Sequence, residues 1–395
     1  MTGGRPLLAI VVSHPIQYQA HLWRALAQDG RVSPHVLFLS RHGLEPRFDP
    51  AYGLKLAWDV DLLSGYDSEF LPNLREQAAP GGLVATLNPT IFGALRRLRP
   101  DAVLFVGLRN LTSLAGFAFA RRQGIPSLYW SDSSVLQAHS GLARHAAAWV
   151  LARVDGVLSI GTANDLYYAA MGVGEERRFW APHSVDNAFI RKLACGRAQA
   201  RAELGLDERE FVLLYVGALK PAKDPLLAVE AIAGAAHRRV RLLVAGDGVL
   251  RDDLQRLARA RRVQLTLLNF VNQTRLPRVY AAADALVLPS LAEPWGMVLN
   301  EAMNVSLPLL VSSRVGAHLD LVRRGENGEV FRAGAAAELA RMIERLSGDE
   351  ALRSAWGAQS RRIVDRFDAS VTVQGIVEAL HATSATRQAH ACASC

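Results

Sequence analysis

The sequence predicts an α/β protein made of two tandem Rossmann-like doubly wound domains, and three observations lead there. At 395 residues the chain exceeds the roughly 100 to 200 residues of one ordinary domain. Short apolar runs bounded by turn residues alternate with helical patterns along nearly its whole length, the pattern of parallel sheets covered by helices. These alternations fall into two series separated by a polar turn.

The first series opens with Leu7 to Val12, stopped at once by Ser13-His14-Pro15, and continues with His35 to Leu39, Ala102 to Val106, Ser127 to Trp130 and Gly156 to Ile160. Helical spacing places helices near 18–28, 89–99, 111–123, 141–153 and 163–171, so every strand but the second leads through a loop into a helix. Pro182-His183-Ser184-Val185-Asp186-Asn187 reads as a turn, followed by a helix-like stretch that ends at Gly205. The second series holds Phe211 to Val216, Arg241 to Ala245, Gln264 to Leu268, Ala285 to Leu288 and Leu309 to Ser312. These runs are rich in Leu and Val, as strands buried on both faces should be. Helices are expected near 225–236, 249–260, 275–282, 297–304, 336–346 and 350–364. The expected organisation is therefore a first domain over 1–190, a linker over 191–205, a second domain over 206–368, a helix over 369–384 and a polar tail over 385–395.

Composition removes several classes. Half the residues are hydrophobic and 21% are charged, a balance that buries a core in each domain and excludes disorder over most of the chain. The first apolar run is far shorter than the roughly 20 residues of a membrane span, and neither a signal peptide nor a transmembrane helix is visible. Cys195, Cys392 and Cys395 are too few for a disulfide framework. Cys392-x-x-Cys395 lies in an Ala/Ser/His tail without a second ligand pair, which fits a frayed terminus better than a metal or redox site. A reducing cytoplasmic setting is expected. The net charge of +8 divides into +2 over residues 1–190 and +6 beyond, with no run of five basic residues. Arg256, Arg259 and Arg262 recur at helical spacing, so solvated helix faces explain most of the excess and no nucleic-acid partner is expected. Nor does the charge support an anionic-lipid patch, which leaves only weak peripheral membrane contact through exposed Trp or Leu.

Ligands of doubly wound domains gather at the loops after the strands. The most informative loop is Pro289-Ser290-Leu291-Ala292-Glu293-Pro294-Trp295-Gly296-Met297-Val298-Leu299-Asn300-Glu301. Here a strand gives way to a helix whose first N–H groups have no intrahelical partner and suit an anion. Glu293 at the loop mouth and Glu301 on the second helical turn can address different parts of one extended ligand; stabilisation of the helix dipole is the alternative for both. Gly217-Ala218-Leu219-Lys220-Pro221-Ala222-Lys223-Asp224 also lies between a strand and a helix, and Lys220 and Lys223 suit a diphosphate. Gly246-Asp247-Gly248 reads as a tight strand-to-helix turn lining a nucleotide pocket, since Arg251 takes the place of the third glycine of a dinucleotide fingerprint. Asn269 to Asn272, Val271 among them, follow the next strand.

Glu293-x7-Glu301, followed by Leu307-Pro308-Leu309-Leu310-Val311-Ser312 and Val315-Gly316, resembles the donor-binding core of glycosyltransferase family 4, the large retaining family of GT-B fold. Tyr215-Val216-Gly217 with Lys223, Gly246-Asp247-Gly248, Leu276 with Tyr280 and Ala283-Asp284, and Gly325-Glu326-Asn327-Gly328 fall in that family's order and spacing. The likeness covers about 208–346 closely and the first half loosely. It implies that Glu293 contacts donor-sugar hydroxyls, that Glu301 binds the nucleotide ribose, and that backbone amides from Trp295 and Gly296 to Met297 and Val298 face the sugar and diphosphate. A carboxylate fits a vicinal diol because it accepts two hydrogen bonds and donates none. Asn269 and Val271 would flank the base. The chain departs from the family at Ala218, where a basic residue is usual, and Lys220 is the proposed substitute.

In the first domain His14, Gln17 and Tyr18 follow the first strand with side chains able to reach a ligand, and Asp132 lies in the polar loop Trp130-Ser131-Asp132-Ser133. Asp132 binds acceptor or caps the following segment. The family's glycine-rich first loop and the histidine after its fourth strand are absent, the latter replaced by Val106-Gly107-Leu108-Arg109. Together these features predict a glycosyltransferase that moves a sugar from a nucleotide diphosphate donor to a glycan, lipid-linked or small-molecule acceptor, with retention. Glu293, Lys223 and His14 are the candidate catalytic residues. No metal or other cofactor is expected, because the nearest Asp-x-Asp pair, Asp59-Val60-Asp61, lies far from the donor motifs. A nucleotide-sugar epimerase and a non-catalytic nucleotide-sugar or glycan binder are the alternatives. His14 stands where some inverting enzymes keep a general base, an opposing sign for the stereochemistry.

Overall fold

The computed structural model describes residues 5–49, 52–75, 82–137, 141–236 and 239–393. In chain order its strands are β1 (Leu7–Val12), β2 (Ser33–Phe38), β3 (Arg47–Asp49), β4 (Leu54–Leu56), β5 (Asp67–Phe70), β6 (Ala102–Val106), β7 (Ser127–Trp130), β8 (Gly156–Ser159) and β9 (Arg178–Trp180), then β10 (Phe211–Val216), β11 (Val240–Ala245), β12 (Gln264–Leu267), β13 (Ala285–Leu288), β14 (Leu309–Ser312) and β15 (Gly328–Phe331). The residues group into two compact units. The first comprises Met1–Phe48, Lys55–His183 and Ala369–Cys395; the second comprises Asp49–Leu54 and Ser184–Asp368.

The first unit contains a seven-stranded parallel sheet in the order β5-β2-β1-β6-β7-β8-β9. Its centre is legible in the burial of β1, where every residue after Leu7 is inaccessible; such a strand contacts neighbours on both faces and must be apolar throughout. The chain travels from β1 outward to β2 and β5, then crosses back to β6 beside β1. That reversal lies between β1 and β6, so the loops after these strands flank a crevice at the carboxyl edge of the sheet. The second unit repeats the plan with a six-stranded parallel sheet, β12-β11-β10-β13-β14-β15. Here the order reverses between β10 and β13, which makes neighbours of the lysine loop 217–224 and the glutamate loop 289–296. Leu213, Tyr215, Leu242 and Val244 form its core with helices Pro225–Gly234 and Ala336–Gly348.

Three parts of the structure go beyond the sequence reading. Strands β5, β9 and β15 extend the sheets at their edges, and β3 pairs with β4 in a small separate sheet. Residues 191–205, expected as a linker, lie in the second unit and contribute the end of helix Asn187–Leu193 and the whole of helix Arg197–Leu204. Arg201 is fully buried there, donating to the carbonyls of Ala282, Asp207, Glu208 and Glu210 and to Asp284 Oδ2 at 2.6 Å. Buried guanidinium requires such complete pairing. The C-terminal helix Ala369–Ala393 belongs to the first unit and runs past the expected end at 384. A Cβ on Gly375 would meet the carbonyl oxygen of Trp180 at 1.9 Å, and Thr372 Oγ1 donates to Pro182 O at 2.6 Å. Cys395 lies outside the described residues. No helix among the described residues is long and apolar enough to cross a membrane.

Candidate functional site

In the second unit the loops after β10, β11 and β13 are tied together by backbone hydrogen bonds. Leu219 N donates to Asp247 O at 2.8 Å and Leu250 N to Leu219 O at 2.9 Å. This approach leaves no room for side chains: a Cβ on Gly246 would sit 1.9 Å from Gly217 O, and one on Gly248 2.6 Å from Leu219 O. Gly217 and Gly248 also adopt φ of 144° and 150°, conformations open to glycine. The N–H groups of Leu291 and Ala292 both donate to Ala222 O, at 2.9 and 3.3 Å, while the backbone of Glu293 is held between Arg314 O and Gly316 N. The sequence motifs thus converge because their main chains are hydrogen-bonded at the reversal of strand order.

The side chains follow. The Lys223 ammonium contacts the Glu293 carboxylate, and both groups are largely buried. Burial first, and the nearby Lys220 charge second, push Lys223 down to about 8; the carboxylate beside it favours the cation. Glu301 accepts from the Tyr280 hydroxyl. Burial raises its carboxyl to about 7 against the opposing effect of that hydrogen bond. Gly296 takes φ 109° at the turn into helix Met297–Met303, and a Cβ there would crowd Leu288 at 2.9 Å. Met297 and Val298 begin that helix. Trp295 points its indole into the protein, donating from Nε1 to Asn300 Oδ1 at 2.9 Å, and its carbonyl accepts from Ala317 N at 3.1 Å. Asn269 adopts φ 58° and its carbonyl accepts from Gly246 N at 2.7 Å, with Val271 two residues on and half-buried. Tyr52, which no sequence motif marks, sits edge-on to Phe270 at 5.1 Å between ring centroids. Its hydroxyl is pushed up to about 12 by burial, then by Asp49 and Glu301.

In the first unit His14 follows β1 with Nδ1 2.9 Å from Ser13 Oγ and its ring edge-on to His42 at 5.2 Å. Burial, and secondarily His42, push the imidazole down to about 3, so it stays neutral near pH 7 and retains a proton poorly. Gln17 Oε1 is buried without a hydrogen-bond partner among the described residues. Tyr18 is raised by burial and then by Asp132, and its ring packs edge-on against His183 at 5.7 Å. Asp132 Oδ1 lies 3.0 Å from His183 Nε2. Burial pushes this carboxyl up, but the His183 charge and hydrogen bond and the Arg109 charge outweigh it and bring it below its ordinary value. His183, which the sequence alone places in a turn, follows β9, and only that strand marks it as part of another loop at the carboxyl edge of the sheet. Among the described residues no group of three or more His, Cys, Asp or Glu side chains is arranged to hold a metal ion.

Two parallel doubly wound sheets with these loops at their carboxyl edges are the GT-B fold of glycosyltransferases. Two solved structures share it: HepE of Anabaena in complex with UDP and glucose, 19% identical with a TM-score of 0.73 over 95% of this chain and 99% of that one, and sucrose-phosphate synthase from Thermosynechococcus elongatus, 21% identical with a TM-score of 0.71 over 98% and 100%. Residues 196–363 match the family model described as Glycosyl transferases group 1. A D-inositol 3-phosphate glycosyltransferase of Rhodococcus jostii is 34% identical over 193 residues, 46% of this chain. That match spans 42% of the relative's length.

Proposed function

We propose that the chain is a retaining glycosyltransferase that moves a sugar from a nucleoside diphosphate carrier, bound by the second unit, to a hydroxyl of a glycan, lipid-linked or small-molecule acceptor bound by the first. One observation carries the reading: Lys223 and Glu293 are paired on adjacent loops at the strand-order reversal, with Glu301 on the helix that follows. The ammonium ions of Lys223 and Lys220 neutralise the diphosphate as it departs with growing negative charge, a role that needs no metal. Glu293 accepts from sugar hydroxyls and Glu301 from the ribose diol. The bond from the anomeric carbon to the diphosphate oxygen breaks, the bond to the acceptor oxygen forms on the same face, and the acceptor proton passes to the departing diphosphate. A histidine held near 3 is a poor proton acceptor, which supports this route over one through His14. His14 and Gln17 then position acceptor in the first unit, whose setting we take to be cytoplasmic.

UDP-glucose is the first donor to test, since UDP and glucose occupy the structural relative HepE. UDP at 100 times its dissociation constant should stabilise the protein by about 2.7 kcal/mol, and Glu301→Ala should lose the shift that wild type shows. GDP, ADP and dTDP serve as comparisons. Turnover should persist in EDTA, and proton NMR of the first-formed product should show the donor's anomeric configuration. Inversion would return His14 to consideration as a base, and activity lost in chelator and restored by manganese would overturn the metal-free route.

A further inference from the structure

We propose that Asp132 and His183 act as one acceptor-recognition device, in which the Asp132 carboxylate accepts hydrogen bonds from an uncharged polyhydroxyl face of the acceptor and His183 is the positioning residue that fixes the carboxylate. The proposal rests on the transferase reading and adds to it the chemistry of the acceptor.

The two partners differ sharply in exposure. The Asp132 side chain is 52% open to solvent and that of His183 only 5%. An open carboxylate ordinarily samples several rotamers; this one is tied through Oδ1 to an imidazole that cannot turn away. Trp130 and Tyr18 pack against that ring at 5.5 and 5.7 Å between centroids. The main chain under it is fixed as well: His183 N donates to Ile160 O at 3.2 Å, and the preceding carbonyl of Pro182 receives the Thr372 hydroxyl. On the other side Asn164 Nδ2 spans the carbonyls of Ser131 and Ser133, locking the residues that flank Asp132. The carboxylate is therefore held from both ends, on a side chain that keeps 52% of its surface open to solvent.

Helix capping does not explain the pair. Among the described residues the hydrogen bond of Asp132 goes to His183, not to a backbone N–H, and residues 133–137 after it form no helix. A ligand explains more. Gln17 Oε1 and Trp130 Nε1, on a neighbour of Tyr18 and on a ring that touches His183, are buried polar atoms without hydrogen-bond partners among the described residues, and such atoms call for polar company. A carboxylate selects hydroxyl donors and repels phosphate, so the acceptor presents a neutral diol or polyol here, with any anionic group elsewhere.

The test uses the full chain with UDP-glucose and a panel of neutral acceptors, methyl α-D-glucoside, methyl α-D-mannoside and myo-inositol, each beside its phosphorylated form. Wild type should transfer to at least one neutral member. His183→Leu and Asp132→Asn should raise the KM for that acceptor about tenfold or more with kcat changed less than about threefold, and His183→Gln, whose amide still donates to Asp132, should recover most of the affinity. The thermal shift with UDP should survive in all three. A His183→Leu enzyme with wild-type acceptor KM, a His183→Gln enzyme as impaired as His183→Leu, or transfer by wild type to phosphorylated members alone would overturn the proposal, as would hydrolysis of UDP-glucose with no transfer to any neutral member. Failure of wild type to bind any of UDP, GDP, ADP and dTDP would instead strike the transferase reading beneath it.

Discussion

Burial works against the charges of Glu301 and Lys223, and the pH dependence of donor recognition follows from how far each has moved. Glu301 must be ionised to accept from a ribose, and its carboxyl stands at about 7, so binding is lost as pH falls through that value. Lys223 must be protonated to meet a diphosphate, and at about 8 its charge is lost as pH rises. Donor kcat/KM should therefore peak between about pH 7 and 8 and fall on both sides. Glu301→Gln should flatten the acid limb and Lys223→Arg should carry the alkaline limb upward; a flat profile in wild type would contradict both assignments. The same shifts oppose folding. A raised Glu301 makes the native state bind more protons than the unfolded chain between about 4.5 and 7, so its contribution to stability falls as pH rises through that window. For Lys223 the unfolded chain binds more between about 8 and 10.5, and stability is regained as pH rises there. Removing the ammonium altogether, in Lys223→Ala, should lower turnover at saturating donor by two to three orders of magnitude, roughly the 2.7 to 4 kcal/mol of one preorganised charge-stabilising contact.

At the scale of elements, two glycines separate crossing loops from mere convenience. A Cβ on Gly246 would strike Gly217 O at 1.9 Å, whereas one on Gly93, inside helix Ile91–Leu98, would meet nothing within 4 Å. Gly246→Ala should thus destabilise by at least about 1 to 3 kcal/mol through forced backbone movement, and Gly93→Ala should stabilise by up to about 1 kcal/mol through helix propensity. Urea midpoints with unchanged slopes would report both; equal midpoints would refute the contrast. These loops were legible because β10, β11 and β13 are short apolar runs ending in glycine or proline motifs. The edge strands were not. β5 is Asp67-Ser68-Glu69-Phe70, half-covered and mostly polar, and β9 is the three-residue Arg178-Phe179-Trp180; an edge strand has one neighbour and one open flank, so it lacks the unbroken apolar signature of a central one. Losing β9 also concealed His183. Trp295 shows a different limit: its place in the motif was clear from spacing, but only the packed turn reveals that its indole is directed to Asn300 rather than outward.

Over the molecule as a whole, the first unit is discontinuous and depends on the last helix. Val373, Ile376, Val377 and Leu380 are buried in it, and Arg31 reaches Gln374 Oε1 at 2.6 Å. At about 1.5 to 3 kcal/mol for each buried apolar side chain, the four contribute a sum comparable with the total stability of a domain, about 5 to 15 kcal/mol. A chain ending at Asp368 should therefore show a separate, lower-temperature unfolding transition and early proteolysis within residues 55–183, while UDP still shifts the other transition. One unchanged transition would refute this dependence. The helix also sets an order of events at birth. Residues 184–368 leave the ribosome before the helix, whereas the strands of the first unit emerge earlier still and wait for residues 369–393 to cover β8 and β9. Of the two units, the one made first is completed last, and until then the nascent chain carries open apolar surface that a chaperone can hold.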